Sequence, residues 1–280
     1  FDVYKAGFWN QGPVLLQTLN ILEGVDLKAM GANSADYLHQ VHEAIKLAYD
    51  DRNAYLGDPA FAQVPIAGLL SKPYAATRRA LIGPKAFLEH RPGDPYAFDS
   101  SVKPPAQRYV PHSQGQKGSN TSGDTTCVDV VDKDGNLFSA TPSSGWLLGG
   151  AFIAGETGVP LSNRMQVFDL DPLSPNVLAG GKRPRTTLTP TIILKDGKPF
   201  LAISTPGGDS QDQQILNVLL NLMDFDMDLQ AAIEAPRINS DHPHSSFDSH
   251  ESVPGQLEIE SRVPTSIMDD LRARGHLLRV

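Results

Sequence analysis

A threonine can attack an amide only if something takes its hydroxyl proton, and the pair Thr125-Thr126 lies where such an arrangement can be built. Upstream, residues 91–124 are rich in Pro, Gly, Ser and Gln and carry no apolar period. Downstream, Thr125 to Val131 reads as a strand that closes at Lys133-Asp134-Gly135-Asn136. An Asp-Gly pair between β-rich runs is a hairpin signal, because Gly accepts a positive φ. A flexible loop running straight into a threonine at the head of a central strand is the layout expected where a chain cuts its own backbone and uses the freed Thr as nucleophile. The freed α-amine would be the base, since its reference pKa of about 7.7–8.0 leaves a useful fraction neutral near pH 7. The same residues also suit an ordinary strand, and the local pattern alone leaves both readings open.

The elements that must hold this strand are legible on either side. Val14, Leu15, Leu19 and Leu22 share one helical face, with Pro13 near the start and Gly24 at the end. Ser34 is a good N-cap for a longer helix with a buried stripe of Leu38, Val41, Ile45, Ala48, Arg52 and Tyr55. Residues 73–81 read as a third helix, and 91–124 as a structureless loop of a length that is often functional. Strands follow at 125–131, 137–142, 190–195 and 199–204. Gly207-Gly208 leads into an amphipathic helix faced by Ile215, Leu216, Leu219, Leu222 and Met223. A short helix at 228–234, a strand at 256–260 and a helix at 265–275 complete an α+β pattern of layered helices and strands.

Composition sets outer limits. The chain has 280 residues and a formal net charge of −8, which argues against non-specific nucleic-acid binding. No run of eighteen apolar residues marks a membrane span. Cys127 is the lone cysteine, so no intrachain disulfide forms.

Six segments taken in order resemble the γ-glutamyltranspeptidase family of N-terminal-nucleophile hydrolases. They are the Thr125 strand itself, Gln11-Gly12-Pro13 with the helix after it, and Ala48-Tyr49-Asp50-Asp51-Arg52-Asn53-Ala54-Tyr55-Leu56-Gly57-Asp58-Pro59. The others are Ala154-Gly155-Glu156-Thr157-Gly158-Val159-Pro160-Leu161-Ser162-Asn163, Lys182-Arg183-Pro184-Arg185-Thr186-Thr187, and Thr205-Pro206-Gly207-Gly208. The resemblance covers nearly all of the chain. It implies a four-layer αββα sandwich and a scissile bond at Asp124–Thr125. Residues 1–124 would then be the C-terminal part of a large subunit, and 125–280 the small catalytic subunit. On this reading the Met-less start fits an excerpt or processed fragment, so the absence of a visible targeting segment carries no meaning; export to the periplasm or outside is a family habit only, and a cytoplasmic location stays open.

The resemblance also implies roles. Thr125 is the nucleophile, and Gly207 and Gly208 form the oxyanion hole, where two backbone amides face developing negative charge and a helix N-terminus stands behind. Without the family, Gly207-Gly208 is a plain strand-to-helix turn. Ser143 stands where the family usually has a Thr that holds the nucleophile's α-amine. Thr141, on the same strand face, supports Thr125 in the precursor. Thr186 and Thr187 occupy a Ser-Ser pair that contacts the substrate α-carboxylate. No cofactor or metal is implied. The partners are a small amide substrate and water or an amine acceptor, with the two self-cleaved chains associated and a homodimer of them left open.

Three departures bear on substrate. Gly145 replaces an Asn, Arg164 a Gln and Val167 an Asp that hold the glutamyl α-amine in the family. Val167 offers an ammonium no partner and Arg164 repels it. The residues therefore suit an acyl group with a carboxylate and no amine, paired with Arg164; the bland alternative is a solvated Arg164. The leading expectation is a self-processing threonine hydrolase or acyltransferase. Alternatives are an amidohydrolase acting on glutaryl-type or oxamate-like amides, and an unprocessed, non-catalytic scaffold. Asp241-His242-Pro243-His244 with Asp248, His250 and Glu251 is the sole metal-like cluster in the sequence and reads as a solvated loop at the mouth of the site. Asn120-Thr121-Ser122 is a glycosylation sequon read as incidental.

Overall fold

The computed structural model describes residues 1–113, 125–145, 150, 152–247 and 249–280. Asp124, the sequon and Asp248 lie outside them. Helix α1 (Pro13–Leu22) starts on Pro13, whose fixed φ suits the first turn, and α2 (Leu27–Met30) is a single turn. The long helix α3 (Ala35–Tyr55) starts where Ser34 accepts the Tyr37 amide at 3.1 Å. Its apolar stripe packs on α1 in the main core, together with residues of the later helices.

The sequence pattern assigned α3 one buried face, yet its polar faces are buried too. His39, His42, Glu43, Lys46, Asp50, Asp51 and Asn53 are all buried. They are tolerated because partners wait for them. Lys46 pairs with Glu43 at 2.6 Å and donates to the Phe87 carbonyl, while Asp51 accepts from Tyr74 and from the Gly93 amide. Partners for this helix come from α5 (Lys72–Arg79), which follows the short α4 (Ile66–Leu69), and from the segment after it. The described part of 91–124 is thus not structureless. It carries a 3-10 turn at Pro95–Phe98, and the Asp99 carboxylate accepts the Ala67 and Gly68 amides.

Three sheets flank this axis. Strand β1 (Asp2–Lys5), unmarked in the sequence pattern, pairs antiparallel with β4 (Thr191–Lys195), which pairs with β5 (Lys198–Ile203). Strands β2 (Val128–Val131) and β3 (Leu137–Ala140) form a separate hairpin beside β5. Strand β2 begins three residues later than expected and is exposed along its whole length, so among the described residues it is an outer ribbon rather than a central strand. A 3-10 turn at Gly208–Ser210 opens α6 (Gln211–Met223), followed by α7 (Leu229–Glu234). Strand β6 (Ile238–Ser240) pairs with β7 (Gln256–Ile259), and after α8 (Thr265–Ala273) strand β8 (Leu277–Arg279) joins β7 in parallel. The architecture is α+β. No helix among the described residues is long and apolar enough to cross a membrane.

Candidate active site

Thr125 sits where the β2–β3 ladder runs on past its last named residues. The register pairs Val128 with Ala140, and the Thr126 amide donates to the Pro142 carbonyl at 3.1 Å in the same register. Thr125 therefore lies opposite Ser143, and Thr141 is its diagonal neighbour on that face. Thr141 is buried, and its hydroxyl has no partner among the described residues. The hairpin is fastened to the end of β5, where the Ser204 hydroxyl donates to Asp129 at 2.7 Å. Four residues beyond Ser204 the chain reaches Gly208. Among the described residues no hydrogen bond joins Thr125 to either glycine or to Arg164.

The glycine turn is conformationally demanding. Gly207 has φ of 124° and Gly208 of 56°, both in the region that favours glycine. A Cβ on Gly207 would stand 2.5 Å from the Ser210 hydroxyl, and one on Gly208 would stand 3.0 Å from the Phe247 ring. Neither amide has a backbone acceptor among the described residues. The turn is clamped from α3. Arg52 pairs with the Asp209 carboxylate, Tyr49 donates to the Asp209 carbonyl, and Gln11 donates to the Gly208 carbonyl at 3.2 Å. Burial alone would raise the Asp209 carboxyl; Arg52 and the Ser246 donors outweigh it and hold it below the usual range.

Arg164 is 7% exposed, which removes the reading of it as a solvated surface residue. It opens a 3-10 turn (Arg164–Val167) in which Val167 is fully buried. One guanidinium nitrogen, Nη2, donates to Ser143 Oγ at 2.9 Å; Nε and Nη1 are buried without a partner among the described residues. Burial lowers its pKa, opposed by the charge of Asp209. The Phe247 ring lies 5.6 Å from the guanidinium carbon and also touches the space over Gly208. One aromatic ring therefore joins the arginine to the glycine turn. Gly145 has φ of 101°, and an added Cβ would fall 2.0 Å from Asn163 Oδ1, so this backbone path excludes a side chain there.

Thr186 and Thr187 lie beside the same clamp. Thr186 accepts from the Asn10 side chain at 3.0 Å and its carbonyl from the Gln11 amide at 2.9 Å. Thr187 is fully buried with its hydroxyl unpartnered among the described residues. Arg185, which donates to the Arg52 carbonyl at 3.2 Å, is pulled down to about 10 by burial and by the Arg52 charge. Sequence reasoning assigned no role to Gln11, Arg52 or Phe247 at this site. The first two stand inside segments that carried the resemblance; Phe247, in a polar loop, left no signal.

The His loop is not solvated: His242, His244 and His250 are buried. Asp241, Pro243, Ser245, Phe247 and Glu251 line a cleft of about 440 Å³ that Gly207 also lines. Two groups among the described residues have metal-ligand proximity, His39-Glu43-His276 and Asp50-His90-His242. Their hydrogen bonds fix the tautomers. The Gly83 carbonyl can only accept, so His39 Nε2 carries hydrogen and its Nδ1 accepts from His276 Nε2 at 2.8 Å. His276 Nδ1 then accepts from His42 Nδ1 at 3.2 Å, and His42 Nε2 accepts from the Ser240 hydroxyl at 2.8 Å. In the second group the Gly255 amide donates to His242 Nδ1 at 3.0 Å, so Nε2 carries hydrogen and points at Asp50. In both groups the histidine nitrogens are engaged in hydrogen bonds, and Glu43 is paired with Lys46.

The chain is similar to known proteins along its whole length. Residues 1–280 match the family model described as gamma-glutamyltranspeptidase. The glutathione hydrolase proenzyme of Pseudomonas sp. (strain A14) is 39% identical over 241 residues, 81% of this chain and 38% of the relative. The acylase ACY 1 proenzyme of Pseudomonas sp. (strain V22) is 35% identical over 267 residues, 95% of this chain and 42% of the relative. The cephalosporin acylase from Bacillus halodurans superposes with a TM-score of 0.79 at 29% identity, over 99% of this chain and 44% of that one. The solved structure of LmbA2991HD gives 0.84 at 42%, over 99% and 47%. The chain thus spans less than half the length of these relatives, and within that span it belongs to the gamma-glutamyltranspeptidase family.

Proposed function

We propose that this chain carries the self-processing and acyl-transfer machinery of an amide-cleaving enzyme, with Thr125 as nucleophile. Cleavage at Asp124–Thr125 frees the Thr125 α-amine. That amine takes the proton from Oγ1 as the oxygen attacks the substrate carbonyl. The oxyanion forms against the Gly207 and Gly208 amides, whose orientation the Arg52–Asp209 clamp maintains. The departing amine takes the proton back, and water or an acceptor amine then resolves the ester on Thr125. Ser143, opposite Thr125, holds the α-amine, and Thr141 supports the hydroxyl before the cut. The two products, one ending at Asp124 and the other beginning at Thr125, stay associated in a four-layer αββα arrangement.

The observation that carries the substrate assignment is Arg164, a buried cation beside Ser143 with two donors unpartnered among the described residues. Such a group lacks an anion, and a substrate carboxylate supplies one. Thr187 offers an idle hydroxyl next in sequence to the Asn10–Thr186 contact. With Gly145 and Val167 giving an ammonium no partner, the acyl donor is a glutaryl-type amide rather than a γ-glutamyl one. One relative is named an acylase proenzyme, in keeping with amide cleavage through an acyl group.

The test is intact mass followed by turnover. Wild type should yield two chains whose junction is Asp124–Thr125, and Thr125→Ala a single uncut chain without amidase activity. A wild type that remains uncut while hydrolysing amides overturns the mechanism.

A further inference from the structure

A hydroxyl backed by a histidine lines the same cleft. His90 Nδ1 lies 2.7 Å from Asp50 Oδ1, and His90 Nε2 lies 3.2 Å from the Ser252 hydroxyl. The tautomer follows from the partners. The carboxylate can only accept, so Nδ1 carries the hydrogen, and in the neutral imidazole Nε2 faces the hydroxyl with a lone pair. Asp50 is buried and also accepts the Arg91 amide at 2.7 Å and the Nε2 hydrogen of His242. The His90 ring is stacked on His244 at 4.4 Å and packed against His242 at 4.5 Å, so it has little freedom to turn. Ser252 lines the cleft and His90 lies behind it.

We propose that Ser252, His90 and Asp50 form a base-activated serine site, separate from Thr125, that reacts with small uncharged esters and phosphonate esters. Ser252 is the nucleophile, His90 the general base, and Asp50 the positioning residue that fixes the imidazole tautomer. The cleft disfavours an anionic reactant: Asp209, Asp241 and Glu251 line it, and its one lining cation among the described residues, Arg279, is already paired with Asp241 and Glu258. With an ester, the Ser252 oxygen bonds to the acyl carbon as its proton passes to His90 Nε2. The carbon–alkoxy bond breaks, and the alcohol leaves with that proton. Water then hydrolyses the acyl-serine by the same route.

The test uses an uncharged dialkyl fluorophosphonate, which forms an O–P bond at the serine and releases fluoride. The Thr125→Ala protein is incubated with the probe and mapped by peptide mass. The adduct is expected on Ser252, absent in Ser252→Ala, and formed at least tenfold more slowly in His90→Gln, because a positioned base contributes about 10²–10⁴ in rate. Near-UV circular dichroism confirms that each variant is folded. A folded parent without adduct at Ser252, or equal labelling rates with and without His90, overturns the proposal. Because Thr125 is absent from every sample, neither outcome depends on its role.

Discussion

Replacing Arg164 by glutamine separates recognition from folding. The wild-type guanidinium makes one hydrogen bond of 2.9 Å to Ser143 and leaves Nε and Nη1 without partners among the described residues. A donor carboxylate that takes one of these nitrogens gains a charge-assisted hydrogen bond worth about 1.5–3 kcal/mol. Its loss corresponds to roughly a 10- to 150-fold fall in kcat/KM for a glutaryl anilide. A matched γ-glutamyl anilide carries the same carboxylate and should also lose that bond, but by a smaller factor, because a neutral amide in place of the guanidinium no longer repels its ammonium. Stability should stay level or rise, since an under-partnered buried charge is removed. The assay is kcat/KM for both anilides beside a urea unfolding midpoint. An unchanged kcat/KM for the glutaryl donor, or a clear drop in the midpoint, would mean that Arg164 is structural and that the carboxylate argument is wrong.

Gly208→Val should lower turnover by about 10²–10³ with the Asp124–Thr125 cut as the companion readout, since the valine meets Phe247 and a strained φ of 56°; near-normal kcat would place the oxyanion site elsewhere. Acid sensitivity is also expected. Burial holds His276 down at about 3 and His244 at about 4, below the unfolded value near 6.5. The unfolded chain therefore takes up these protons first. Their stabilisation is complete above about pH 6.5 and is lost as pH falls, by up to about 1.4 kcal/mol per pH unit per histidine. Asp212, which burial raises to about 6 despite its 3.0 Å pairing with Lys5, acts in the opposite sense between about pH 6 and 4. The urea midpoint should fall from pH 6.5 to 5 and fall more steeply in Asp212→Asn. A flat or rising midpoint in wild type contradicts the neutral histidine chain.

What the sequence made legible was what has a local cause. Ser34 as a cap, the Pro13 start and the three- and four-residue stripe of α3 are near-neighbour effects, and they are found where expected. The glycine turn, Arg164 and Ser143 were nameable through the family segments. Hidden were the long-range partners. Nothing local to Arg52 says that it will meet Asp209, far along the chain. Nothing in a polar His-rich loop says that it will be buried against Asp50 and His90, because burial depends on what α3 presents there. Strand β1 was missed for a related reason. Four residues at the start of the chain show no period of their own and become a strand only by pairing with β4.

The two sides of the proposed cut are stitched by many separate links: β1 on β4, Lys5 on Asp212, Asn10 on Thr186, Arg52 on Asp209, Asp58 on Arg183 and His42 on Ser240. Most of these are buried, and none is near the severed bond in sequence. Cleavage would then change the molecularity of the fold without changing the fold. The uncut Thr125→Ala chain regains its structure at a rate independent of protein concentration. The processed protein, once denatured, has to find its other half in solution, so its recovery depends on dilution and its stability on total protein. Activation, on this view, is bought with reversibility: the chain folds once while its ends are tethered, and afterwards persists by the slowness of coming apart.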